Sequence, residues 1–156
     1  MNLYLVQHGE AVDKSVDPER PLTNKGRADI IKVAGHAAKY AGLEVLAVTH
    51  SGKLRAQQTA ELISLEIKTM QGVVPVKDLE PNANPAIWVE RLGLMEDDVV
   101  LVGHLPHLSK LASLLVCGDA DKNIVEFQNA GMVCLRKGSP RDWSIKWIIT
   151  PETAAD

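Results

Sequence analysis

The sequence has only two cysteines, no long hydrophobic run and no signal-like start, and each absence excludes a class of protein. Cys117 and Cys134 are far apart and form no CxxC motif, which argues against a disulfide framework and favours a reducing compartment. We interpret both as small core residues. No apolar run approaches the roughly 18 residues that a membrane helix needs, and the start MNLYLVQHGE lacks a basic segment followed by an apolar one. We therefore expect a cytoplasmic protein without membrane contact.

Charge is also nearly balanced, with 20 acidic and 17 basic residues and no block of one sign. This composition argues against a general nucleic-acid surface, so any anion site must be local. The 156 residues are 46% hydrophobic, which suits one domain over residues 1–150. Residues 151–156 are expected to form a flexible tail.

Apolar runs alternate with helical patterns, which predicts an α/β fold. The strands are predicted at residues 3–6, 45–49, 73–77, 99–103, 132–136 and 145–150, and the helices at 23–41, 54–67, 85–92 and 106–116. We expect a three-layer sandwich, in which helices cover both faces of a mostly parallel six-stranded sheet. The last two runs have no helix between them and predict an antiparallel edge hairpin, connected by residues that include Gly138, Ser139 and Pro140. In the first helix, Ile31, Ala34, Ala38 and Ala41 are expected to face inward.

Two histidines follow buried strands directly. His8 comes after the first apolar run and precedes Gly9, and His104 comes after the fourth run. Ligands of open α/β sheets bind beyond the carboxyl ends of the strands, so these imidazoles are candidates for chemistry. Arg55 lies in the first turn of the second predicted helix, where backbone N–H groups and a guanidinium together suit phosphate. Taken alone, Arg55 is better explained by a surface ion pair with Glu61 or Glu66 on its own helix, and the two histidines favour the phosphate role instead.

A loop at residues 11–22 has no helical or strand period, and it carries Lys14 and Arg20. Since it follows His8 closely, we expect it to border the site. His104 and His107 form an HxxH pair, but no third ligand suggests itself, so we expect neither a metal nor another cofactor. His36 and His50 are expected to be surface or structural residues, and His107 to flank the fourth helix.

Four motifs in order resemble the histidine phosphatase superfamily over nearly the whole chain. They are QHGEA, ERPLTNKGR, HSGKLRAQQTAE and VGHLPHLSKLA, and their spacing is most similar to that of the short SixA-type phosphohistidine phosphatases. The resemblance implies a phosphoglycerate mutase-like fold, with His8 as nucleophile and His104 as its partner at the site. It also implies that Arg55 grips phosphate and that Arg20 lies close to it.

The sequence departs from the family at Gln7, where the RHG motif has arginine. An amide can still donate to phosphate, but the pocket loses a fixed charge and a bidentate donor. Gln7 and Gly9 therefore stand with Arg55 and Arg20 as phosphate-binding candidates. Lys53 is an auxiliary candidate that could supply part of the missing charge.

We expect a phosphohydrolase that acts without a metal and forms a phosphohistidine intermediate. The substrate is expected to be phosphohistidine of a signalling protein, since imidazole leaves with little help from an acid. Glu80 is an auxiliary candidate for such an acid, although a role as a solvated loop residue is favoured. Two alternatives stay open, namely a small-molecule phosphomonoesterase and a phospho-ligand binding module in which Gln7 has weakened or abolished turnover.

Overall fold

Strands and helices alternate along most of the chain in the computed structural model, which describes residues 1–139 and 141–156. The strands are β1 Asn2–Gln7, β2 Glu44–Val45, β3 Val48–His50, β4 Lys68–Thr69, β5 Val73–Pro75, β6 Val99–Gly103, β7 Met132–Lys137 and β8 Trp143–Ile149. The helices are α1 Asn24–Ala41, α2 Leu54–Glu66, α3 Pro85–Leu94 and α4 His107–Cys117.

Six of the strands form an open sheet in the order β5-β3-β6-β1-β7-β8. The first four of these strands run parallel to one another, whereas β7 is antiparallel to β1 and β8 is antiparallel to β7. The carboxyl ends of β1, β3 and β6 consequently meet at one edge of the sheet. β2 and β4 pair separately as a small two-stranded sheet.

Local signals set the helix ends. The Thr23 hydroxyl accepts a hydrogen bond from the Gly26 N–H and caps α1, while Gly42 ends the helix in the left-handed conformation, with φ +59°. Asn84 caps α3 directly before Pro85, and Gly118 ends α4.

Each face of the sheet buries its own hydrophobic core. Tyr4 and Val6 of β1 face α1 and α2, and Leu3 and Leu5 face α3 and α4. This alternation is the period of two that a strand imposes on its side chains. The predicted sandwich with helices on both faces and an antiparallel edge hairpin is therefore confirmed.

Some local predictions were wrong. Cys117 is exposed, because it is the last residue of α4, while Cys134 is buried as expected. Ile31 is 45% exposed, and the inward face of α1 carries Ile30 and Val33 instead. The run at 45–49 is divided between β2 and β3, whereas residues 54–66, 85–92 and 99–103 have the predicted structure.

The chain termini and turns complete the description. Residues 151–154 form a turn in which Ala154 packs into the core beside α1 and α2. The hairpin turn is closed by a hydrogen bond from the Gly138 N–H to the Asp142 carbonyl, and Pro140 lies outside the described residues. No helix in the described part of the chain is both long and apolar enough to cross a membrane.

Candidate active site

His8 and His104 lie side by side because β1 and β6 are parallel neighbours in matched register. Gln7 pairs with Gly103, so the residue after each strand is a histidine at the same sheet edge. The two imidazole centroids are 5.1 Å apart, with the rings inclined by 52°. Both side chains are buried, at 9% and 2% exposure. The structure thus brings together the two histidines that the sequence places over 90 residues apart.

The His8 ring is held in one orientation. Its Nδ1 lies 2.7 Å from the Gly9 carbonyl oxygen, and Nε of Arg55 lies 3.3 Å from its Nε2. Since a carbonyl oxygen only accepts and a guanidinium N–H only donates, Nδ1 carries the proton and Nε2 carries the lone pair. Burial is the main cause that lowers the His8 pKa to about 4, and the charges of Arg55 and Arg20 contribute to this shift. His8 is therefore a neutral imidazole at pH 7, and its unprotonated Nε2 accepts a hydrogen bond from Arg55.

His104 contacts a second polar group at the end of β3. Its Nε2 lies 2.6 Å from the Ser51 hydroxyl oxygen, and its buried Nδ1 has no hydrogen-bond partner within residues 1–139 and 141–156. Burial is the main cause that lowers the His104 pKa to about 3, followed by the charges of His8, Arg55 and Lys53. The Arg55 guanidinium thus acts on both rings through its positive charge.

Arg55 is fixed to the segment after β1 through Thr59. The Thr59 hydroxyl accepts a hydrogen bond from the Gly9 N–H at 3.0 Å and donates one to the Arg55 carbonyl at 2.7 Å. Thr59 is fully buried in α2, one turn after Arg55. The helix that supplies the guanidinium is therefore tied to the backbone that supplies the imidazole.

The remaining candidates take different positions. Gly9 uses its N–H for Thr59 and its carbonyl for His8, so it orients His8 and has no free donor for the predicted phosphate contact. Arg20 donates from Nε to the Val12 carbonyl, and its charge reaches both His8 and Arg55. Lys53 is exposed just before α2 and acts on His104 through charge.

Gln7 and Glu80 complete the list of candidates. Gln7 directs its amide nitrogen to the Asn129 side-chain oxygen at 3.3 Å. Glu80 is exposed in the segment before α3, and its charge acts on His107. Its neighbour Asp78 pairs with Arg91 at 2.6 Å. The structure therefore brings no hydrogen-bonded carboxylate to His8 or His104 among the described residues.

Three residues that contact the site were not predicted from the sequence, namely Ser51, Thr59 and Asn129. Ser51 and Thr59 both belong to the motif HSGKLRAQQTAE, so the motif itself could have pointed to them. Asn129 lies 122 residues from Gln7 and carries no sequence signal of its own.

The HxxH pair does not converge with a third ligand. Within residues 1–139 and 141–156, no three histidine, cysteine, aspartate or glutamate side chains are placed to hold a metal ion. His107 is the first residue of α4 and is fully buried, as a flanking residue of that helix. His50 is also buried, and its Nδ1 accepts a hydrogen bond from the Gly52 N–H, which is a structural role.

Neither a protein-family model nor a curated protein matches this sequence. Solved structures do match. The protein histidine phosphatase SixA in complex with tungstate is 22% identical over 97% of both chains, with a TM-score of 0.84. The SixA protein from Agrobacterium tumefaciens is 20% identical over 96% of this chain and 97% of that one, with a TM-score of 0.78.

A more distant structure shows the same fold. Phosphoserine phosphatase from Entamoeba histolytica, in complex with 3-phosphoglyceric acid, is 14% identical over 94% of this chain and 95% of that one, with a TM-score of 0.65. The predicted resemblance is therefore confirmed at the level of the fold. This chain therefore shares the fold of these solved phosphatase structures.

Proposed function

We propose, from this fold and the geometry at the ends of β1 and β6, that the chain is a phosphohydrolase with His8 as its nucleophile. One observation carries the proposal, namely that Nδ1 of His8 is tied to Gly9 while its unprotonated Nε2 faces the Arg55 guanidinium at 3.3 Å. A nucleophilic nitrogen and a phosphate-binding cation thus occupy one buried site. Arginine is suited to hold a phosphoryl group while a neighbouring nitrogen attacks its phosphorus.

The reaction has two balanced steps. In the first, the Nε2 lone pair of His8 attacks phosphorus, the new P–N bond forms, and the bond from phosphorus to the leaving group breaks. The leaving group keeps the electron pair and takes a proton from water. In the second step, water attacks phosphorus and gives up a proton to the solvent, while the P–N bond to His8 breaks and its electron pair returns to Nε2. Inorganic phosphate then leaves with the imidazole restored.

The surrounding cations stabilise the charge on the phosphoryl oxygens. Arg55 offers a planar fork, Arg20 adds charge, and His104 adds a ring N–H. Bound phosphate carries negative charge, which raises the pKa of both imidazoles relative to the empty site. We propose on this basis that turnover needs no divalent cation, because protein groups supply the positive charge.

The leaving group that suits this site is an imidazole. The charged groups that shift His8 and His104 most are cationic or imidazole groups, and Glu80, the acid candidate from the sequence, is exposed. An alkoxide needs a proton donor, whereas imidazole, with a reference pKa near 6.5, needs little help. Phosphohistidine of a signalling protein is therefore the proposed substrate class, and the name of the SixA neighbour supports it.

The test compares three substrates, each with and without chelator. They are a histidine-phosphorylated phosphotransfer domain, an aryl phosphate and an alkyl phosphate. We expect fastest hydrolysis of the phosphohistidine domain, at a rate that chelator leaves unchanged. Preference for the alkyl phosphate would establish the phosphomonoesterase alternative. Tight binding of the phosphorylated domain without release of phosphate would establish the binding module.

A further inference from the structure

The loop that carries Arg20 is closed at its base by backbone contacts. Ala11 and Leu22 form an antiparallel bridge, and the Val12 N–H donates to the Pro21 carbonyl at 2.8 Å. Within the loop, Nε of Arg20 donates to the Val12 carbonyl at 3.2 Å. The base of the loop therefore determines where the Arg20 guanidinium lies.

The backbone of Arg20 has a conformation that most residues avoid. Its φ of +50° lies in the left-handed region, where a residue with a Cβ persists only when its surroundings hold it. Its N–H donates to the Asp17 carbonyl at 3.0 Å, which is a contact within the same loop. A loop that lost its anchor would allow Arg20 to relax to a negative φ and to turn its side chain elsewhere.

A side chain outside the loop anchors its base. Oε1 of Gln58 in α2 accepts a hydrogen bond from the Leu22 N–H at 2.8 Å. Leu22 is buried and packs directly over Gly9, since a Cβ added to Gly9 would lie 3.2 Å from Cδ2 of Leu22. Because Gly9 follows His8, Gln58 fixes the end of the loop beside the proposed nucleophile.

Gln58 lies on the same turn of α2 as two residues that contact the site. Arg55 donates to Nε2 of His8, and Thr59 accepts a hydrogen bond from the Gly9 N–H. Residues three and four apart on a helix share one face, so Gln58 and Thr59 both lie on the face that carries Arg55. One turn of α2 thus contacts the nucleophile, the backbone after it and the base of the loop.

We propose that Gln58 is a positioning residue that holds the loop at residues 11–22 so that the Arg20 guanidinium acts on the phosphate site. The inference rests on the proposed function, because it concerns how positive charge reaches that same site. The charge of Arg20 acts on both His8 and Arg55, so a phosphoryl group bound between them gains from the same charge. Gln58 acts through Arg20 and does not itself contact phosphate.

Gln58→Met tests the proposal, because it keeps the length of the side chain and replaces the amide oxygen with a weakly accepting sulfur. We expect the Kd for vanadate to rise by about fivefold, the scale of one partly exposed charge. Gln57→Met is the matched control, since the Gln57 amide donates to Glu61 on the exposed side of α2. It should leave the Kd within about twofold of the wild-type value.

The Arg20→Ala background tests whether Gln58 acts through Arg20. Arg20→Ala alone should raise the Kd for vanadate by a similar factor, and Gln58→Met should then have no further effect. An equal loss from Gln58→Met in both backgrounds would overturn the proposal, and so would an unchanged Kd in Arg20→Ala. Urea midpoints of all variants establish that they are folded.

Nuclear magnetic resonance reports on the loop directly. The Leu22 amide should exchange slowly with solvent in the wild type and in Gln58→Glu, which keeps an acceptor oxygen, and faster in Gln58→Met. The Nε–H resonance of Arg20 should move in Gln58→Met and stay in place in Gln57→Met.

The outcomes separate this inference from the proposed function. Fast exchange of the Leu22 amide in the wild type, or an unchanged Kd for vanadate in Gln58→Met, would overturn the role of Gln58 alone. A wild-type protein that neither binds vanadate nor releases phosphate would overturn the proposed function, and this inference with it.

Discussion

The hydroxyl oxygen of Ser51 lies 2.6 Å from Nε2 of His104. This contact joins the segment after β3 to the residue after β6, and it fixes the His104 ring beside His8. Because His104 is almost fully buried, its ring nitrogens depend on protein groups for orientation. Ser51 is therefore expected to determine how His104 meets a phosphoryl group.

Ser51→Ala should lower kcat for phosphohistidine hydrolysis by about tenfold, because the His104 ring loses the hydrogen bond that orients it. Steady-state kinetics measure the effect. Ser64→Ala removes a comparable hydroxyl bond on the exposed side of α2, to the Glu61 carbonyl, and should leave kcat unchanged. An equal kcat for Ser51→Ala and wild type would show that Ser51 does not orient His104 for the reaction.

His8 should become phosphorylated during turnover. Acid destroys a phosphohistidine and alkali preserves it, so alkaline quenching with labelled substrate should trap a labelled protein. His8→Ala should lose both the label and the activity. A label that survives acid, or one that maps to a serine, would contradict the mechanism.

The buried histidines should make stability depend on pH in a defined window. The pKa of His8 is about 4 and that of His104 about 3, below the ordinary value near 6.5. At a pH between these lowered pKa values and 6.5, the unfolded chain binds more protons than the folded chain. The free energy of unfolding is therefore at its full value above pH 6.5 and falls as the pH drops toward 4. Each histidine should contribute on the order of 1–3 kcal/mol to this loss.

Urea denaturation at pH 7.5 and pH 4.5 measures this loss. The decrease in unfolding free energy between the two pH values should be smaller in the His8→Ala and His104→Ala variants. An identical decrease in wild type and both variants would assign the pH dependence to other groups.

The alternation of strands and helices and most element ends follow from patterns that one segment carries by itself. The valine-rich run that became β6 is bounded by turn signals, and Thr23 and Gly42 supply local capping chemistry for α1. The placement of Ile31 failed because α1 has apolar residues on more than one face, and only packing on the sheet selects Ile30.

The site was predictable where it depends on strand ends and motifs, and unpredictable where it depends on contacts between distant segments. His8 and His104 could be placed together because parallel strands share an edge. Two contacts arise only from tertiary packing. The Gly9 N–H donates to the Thr59 hydroxyl, and the Gln7 side chain donates to Asn129. No period or spacing in one sequence encodes such contacts.

Thr59→Val should lower both the stability of the protein and its kcat. The Gly9 N–H loses its acceptor in a fully buried place, which costs about 1–3 kcal/mol. Thr49→Val is the matched control, since its buried hydroxyl donates to the Val100 carbonyl away from His8. Both variants should lower the urea midpoint, and only Thr59→Val should lower kcat.

Gln7→Arg should raise kcat/KM by about tenfold, because a charge-assisted contact replaces a neutral one and each 1.36 kcal/mol of barrier is tenfold in rate. Vanadate should also bind more tightly. Lys53 already acts on His104 through its charge, so the gain should be larger in the Lys53→Ala background. An unchanged kcat/KM in both Gln7→Arg and Lys53→Ala would show that the residue at position 7 does not limit the rate of hydrolysis.

Gln7 of β1 pairs with Gly103 of β6, and this register places His8 beside His104. The number of residues in β1 is therefore as important as their type. A one-residue deletion within residues 3–6 would move His8 by about 3.3 Å along the sheet and exchange every side chain between its two faces. Volume-conserving substitutions among apolar residues keep that spacing and cost little stability. Length variation among functional homologues should therefore be absent from β1 and β6 and confined to the loops, such as the segment at residues 11–22.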